Sequence, residues 1–145
     1  MLSGFCDRFR PLALTLLRLA LGVIFLYHGV AKLSDLPHWT QNFVHMGFPS
    51  YFGYIAGSLE TVGGGLLILG LFGRLIGLLL AGELLTALLR VHLPAGPIWN
   101  VGRYELAMLL SGASFVIFAY GPGPWSLDAA LFGGRSGGKS RRRAA

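Results

Sequence analysis

A chain of 145 residues has room for one domain. With 54% hydrophobic and only 12% charged residues and a mean hydropathy of +0.63, it departs from the roughly 25% charge of soluble domains toward a membrane composition. The net charge of +6 does not describe a nucleic-acid surface: Arg8 and Arg10 precede the first apolar run, and Arg135, Lys139, Arg141, Arg142 and Arg143 crowd the tail. The single cysteine, Cys6, excludes an intrachain disulfide and an internal CxxC redox pair.

Four apolar windows of spanning length follow in order: Leu12–Ala31, Tyr51–Phe72, Leu75–Val91 and Tyr104–Tyr120. The basic start of the first mimics a signal peptide, but Arg18 interrupts its apolar run and no A-x-A site follows, so it reads as a retained helix. The expected fold is all-α: an integral membrane bundle of four transmembrane helices, residues 1–132, followed by a basic tail, residues 133–145, too polar to order. Gly73-Arg74 is the whole link between the second and third windows, which predicts a tight hairpin. Eight basic residues fall at the two termini and this turn, against Lys32 and Arg103 on the other side with Arg90 just inside the third helix. Both termini and this turn are therefore expected on the cytoplasmic side of the membrane.

The first outer link carries Ser34 and Asp35 as candidate caps and Pro37 for a first turn. Trp39, Phe43 and Met46 then form an apolar stripe, which predicts an outer interfacial helix. The second outer link, LPAGPIWNVGR, is turn-rich with Trp99 as an anchor. After the fourth window, Pro122 and Pro124 stop the span, and Ser126 is positioned to cap a short surface helix ending at Phe132.

Three ionisable residues lie deep in the windows: Arg18, Glu60 and Glu83. Glu60 is flanked at helical spacing by Ala56, Gly57, Gly63 and Gly64, small residues that let another helix close in. Arg18 lies a few residues short of the centre of its window, and Glu60 and Glu83 lie near the centres of theirs. The three thus share one bilayer level within about one helix turn, which predicts Arg18–Glu60 as an ion pair and a proton on Glu83. A second polar group gathers toward the outer ends: His28 and Lys32 at i, i+4, Arg90, His92, Arg103 and Glu105, with Gly102 and Gly112 expected to allow close packing beside Glu105. Two histidines without an HxxxH or Cys/His pattern do not specify a metal or haem site, so no metal is assigned.

The stretches RLALGVIFLYHGVAKL (Arg18–Leu33), LETVGGGLLILGLFGR (Leu59–Arg74), VHLP (Val91–Pro94), ELA (Glu105–Ala107) and GPGPWSLD (Gly121–Asp128) resemble the DoxX family of four-helix bacterial membrane proteins. The resemblance reaches Arg18, Gly22, His28, Gly29, Lys32, Glu60, Gly63, Gly64, His92 and Glu105, while Glu83 departs from the pattern. It implies a plasma-membrane protein tied to respiratory or redox assemblies, with quinone-dependent chemistry among its members.

The leading expectation is an accessory subunit of a membrane redox complex, not catalytic alone. Its candidate pocket for a quinone or lipid-like ligand is made by His28, Lys32, His92 and Glu105 and roofed by Trp39 and Phe43. Expected partners are the lipid bilayer, redox-complex subunits and further copies of the chain. A non-catalytic scaffold, whose buried charges specify packing, is the alternative. A proton-coupled carrier using the mid-membrane carboxylates is a third.

Overall fold

The computed structural model describes residues 7–97 and 99–133, and for Arg103 the backbone alone. Cys6 and the predicted basic tail from residue 134 lie outside the described residues. The helices are α1 (Arg10–Ser34), α2 (Leu36–His45), α3 (Phe52–Leu69), α4 (Gly73–Ala87), α5 (Glu105–Tyr120) and α6 (Leu127–Phe132). A π-helical turn, Leu88–His92, extends α4, and a 3₁₀ turn, Val101–Arg103, precedes α5. The architecture is an all-α membrane bundle. α1, α3 and the extended α4 are each long and apolar enough to span a bilayer, and α5, at 16 residues, is a shorter apolar helix beside α4.

Packing divides the bundle into two helix pairs. α1 lies along α3, and α4 lies along α5, with lighter contacts from α3 to α4 and from α1 to α5 joining the pairs. The link between α3 and α4 is short, as expected, yet those two helices pack on each other less than on their other partners. Glycines explain the preference. A Cβ on Gly29 would stand 2.4 Å from the Thr61 amide nitrogen, and one on Gly64 would stand 2.5 Å from that of Leu26. In the second pair a Cβ on Gly77 would stand 2.8 Å from the Ser114 carbonyl oxygen. Backbone approaches backbone at these points, the geometry that replaces hydrophobic driving force inside a membrane. Between the pairs, Leu21 and Phe25 of α1, Leu67 of α3, Ile76 and Leu80 of α4, and Leu110 and Ile117 of α5 form one buried apolar cluster.

On the hairpin side, the GPGPWSLD stretch stitches the bundle together. Gly70 (φ 71°) and Phe72 (φ 53°) turn the chain from α3 into α4 in left-handed conformations. The Asp128 carboxylate accepts hydrogen bonds from the Phe72 and Gly73 amides, 2.8 Å each, and the Asp128 amide donates to the Gly70 carbonyl at 3.0 Å. Asp128 therefore satisfies orphan donors at the start of α4 from 55 residues away, where the helix dipole also favours an anion. Arg74 donates to the Phe118 and Ala119 carbonyls at the end of α5, at 2.9 and 2.8 Å. Asp128→Ala is expected to cost about 0.5–2 kcal/mol, as loss of an N-cap does. Hydrogen exchange should then accelerate at Phe72 and Gly73 ahead of the rest of the bundle.

On the opposite side α2 follows Asp35, whose carboxylate accepts from the His38 amide at 3.4 Å. Trp39 and Phe43 are half-buried as the stripe predicts, but Met46 caps the end of α2 and is 42% exposed, because the helix stops at His45. Ser126 accepts from the Ala129 amide at 3.2 Å and caps α6 as expected. Gly102 and Gly112 differ from expectation: a Cβ on either would meet open space, so no helix packs against them.

Candidate functional site

The small face around Glu60 is used on two sides. Gly57 and Gly64 admit α1, with a Cβ on Gly57 reaching 2.9 Å from Leu33, while Gly63 turns toward Ile76 and Leu80 of α4. Ala56, Gly57, Glu60, Gly63 and Gly64 are all buried. The contacts also fix the antiparallel register of α1 on α3: Gly22 meets Gly64 and Ile68, Gly29 meets Glu60 and Thr61, and Gly57 meets Lys32 and Leu33.

That register gives Glu60 a different partner from the one expected. Its Oε2 pairs with Lys32 Nζ, and the two side chains are 5% and 11% exposed. Helix side chains lean toward the N-terminus of their own helix. Lys32 on α1 thus leans into the bundle and Glu60 on antiparallel α3 leans outward, so the two converge. Arg18 lies eleven residues from Gly29 along α1, about 16 Å away, too far to reach Glu60. The Arg18–Glu60 pair is therefore replaced by Lys32–Glu60.

Arg18 instead belongs to the hairpin side. It is 3% exposed, lies against Gly70 and donates from Nη2 to the Trp125 carbonyl at 2.9 Å. Asp128 acts on it electrostatically. A β-carbon at Gly70 would collide with the guanidinium, so the glycine serves both the left-handed turn and the cation's seat.

Glu83, the third predicted core residue, lies near the level of the Lys32–Glu60 pair. It lies ten residues past the start of α4, about 15 Å from the hairpin side. Glu60 lies nine residues before the end of α3, about 14 Å from that side. Glu83 interacts electrostatically with both Glu60 and Lys32, and its buried Oε2 has no hydrogen-bond partner among the described residues. Lys32 Nζ also stands 5.2 Å from the Trp39 ring centroid, a cation–π contact from the interfacial helix. The expected roof residue thus covers Lys32.

The four predicted pocket residues are divided. Lys32 is committed to Glu60. His28, one turn inward on α1, is half-buried with the Tyr27 ring edge-on at 5.6 Å. His92 is half-buried in the π-helical turn that ends α4, a distortion often found at functional sites, and Glu105 is exposed at the start of α5. Sequence reasoning missed the Lys32–Glu60 pairing and the Asp128 cap. The first had a signal: glycines seven apart on each helix, Gly22 and Gly29 against Gly57 and Gly64, align antiparallel only if Glu60 lies well outward of Arg18.

A "Putative oxidoreductase CatD" of Bacillus subtilis (strain 168) is 32% identical over 123 residues, covering 85% of this chain and 90% of that protein. An "Uncharacterized protein" of Haemophilus influenzae is 35% identical, covering 87% of this chain and 96% of that one. An "Uncharacterized membrane protein Rv3486" of Mycobacterium tuberculosis is 32% identical, with 83% and 82% covered. No solved structure matches the chain significantly. The DoxX family model matches residues 13–93, a stretch running from the first turn of α1 through the end of α4 with Lys32, Glu60 and Glu83. Together these matches and the membrane bundle establish that the chain is a member of the DoxX family.

Proposed function

We propose that the protein is an accessory subunit of a membrane redox complex and holds a quinone or another lipid-like ligand near the outer ends of α1 and α4. The observation that carries this reading is the buried Lys32–Glu60 pair beneath Trp39, on a helix none of whose residues is buried. A lightly held roof over polar groups gives an amphiphile a route to hydrogen-bonding partners without opening the bundle. The kinship to a protein named as an oxidoreductase supports the redox setting. By charge bias the hairpin turn and both termini face the cytoplasm of a bacterial inner membrane, with α2 on the outer surface.

The test is native mass spectrometry with lipid extraction of gently purified protein. A quinone or similar amphiphile is expected to copurify. His28→Ala or Trp39→Ala should lower its occupancy by about tenfold, the scale of one lost hydrogen bond or cation–π contact in a desolvated site. Protein that carries no such ligand, together with membrane redox activity unchanged by His28→Ala, would overturn the reading. That outcome would favour a scaffold, a role supported by Lys32 and Glu60 pairing with each other.

A further inference from the structure

Lys32, Glu60 and Glu83 come from three helices: Lys32 pairs with Glu60, and Glu83 stands on α4 at the level of Glu60, within electrostatic range of both. Two carboxylates and one ammonium would leave an uncompensated negative charge in a low-dielectric interior, where an unpaired charge is the costliest group to hold. Of the two carboxylates, Glu60 holds the cation, Lys32, whereas the buried Oε2 of Glu83 has no hydrogen-bond partner among the described residues.

Among the described residues, the one cation acting on Glu83 is Lys32 of α1, already committed to Glu60 of α3. His28 lies one turn from Lys32 along α1, and Arg90 and His92 stand two turns or more beyond Glu83 in the π-helical turn that ends α4. On α5, the only charged side chain is Glu105, exposed at its far end and of the wrong sign. The neighbouring Thr86 hydroxyl donates within its own helix to the Gly82 carbonyl at 2.8 Å.

We infer that Lys32, Glu60 and Glu83 form a binding site for one exchangeable proton, carried on Glu83. The proton makes the triad neutral. Glu83 belongs to the α4–α5 pair and Lys32–Glu60 to the α1–α3 pair, so the proton sits at the seam between the two halves of the bundle. Losing it places a net negative charge there. The site does not depend on a redox ligand being bound, although one held nearby would have a proton donor and acceptor within the same bundle.

Infrared difference spectroscopy of the purified protein at neutral pH reads this directly through the C=O stretch of a protonated carboxyl group, identified by its shift in D2O. Wild type is expected to show the band. Glu83→Gln should abolish it, and Glu60→Gln should abolish it as well, because Glu83 then ionises to balance Lys32. Lys32→Met should give about twice the wild-type intensity, since both carboxyls then hold protons. A wild-type spectrum without the band overturns the inference with no variant needed, and is also the outcome if a metal cation replaces the proton. A band that survives Glu83→Gln overturns it too.

Discussion

Glu60→Gln and Lys32→Met are each expected to destabilise the bundle by about 3–5 kcal/mol, measured as unfolding in detergent micelles. The cost is not the lost attraction alone. Each single change leaves the other group of a nearly dry pair without its main counter-charge, and uncompensated burial of a charge is what makes breaking such pairs expensive. Glu83 tempers one side: after Glu60→Gln it can serve Lys32, so this variant should fall toward the lower end of the range. Lys32→Met has no such relief except protonation of both carboxyls. The double variant Lys32→Met/Glu60→Gln should recover most of the loss, because a neutral pair of similar volume carries no desolvation debt.

A second large effect is expected at the α1–α3 contact. Gly29→Ala and Gly64→Ala should each cost about 2–3 kcal/mol or more, because the added carbon would meet backbone atoms at 2.4 and 2.5 Å and backbone cannot rotate away. The adjacent Gly65→Ala is the control. Nothing lies within 4 Å of a Cβ there, so replacing a mid-helix glycine should be neutral or stabilising by about 0.5–1 kcal/mol. Opposite signs at neighbouring positions of one helix separate close packing from a general intolerance of substitution. Equal effects at 64 and 65 would contradict the interface described.

Much of the bundle was legible in the sequence because membrane helices declare themselves by composition. The apolar windows, the Asp35 and Ser126 caps, the small face around Glu60 and the shared depth of Glu60 and Glu83 all follow from local pattern and helical rise. The partner of Glu60 did not, for a physical reason. Depth taken from the centre of an apolar window assumes that neighbouring helices are centred on one another, whereas α1 is set against α3 by where glycines permit contact. That offset carries Lys32 to Glu60 and sends Arg18 to the hairpin turn. Asp128 was illegible for a different reason: it caps a helix 55 residues away, and no local capping pattern marks such a contact. The expectation for Glu105 fails because a small residue permits close packing without requiring it, and Gly102 and Gly112 face open space.

The most direct measurement is a pair of double-mutant cycles on unfolding free energy, one for Lys32 with Glu60 and one for Arg18 with Glu60. Contacting charges should couple by at least about 1.5 kcal/mol, whereas residues separated by more than about 10 Å should be additive within about 0.5 kcal/mol. The register predicts strong coupling in the first cycle and additivity in the second. Strong coupling of Arg18 to Glu60, with additivity for Lys32, would contradict it.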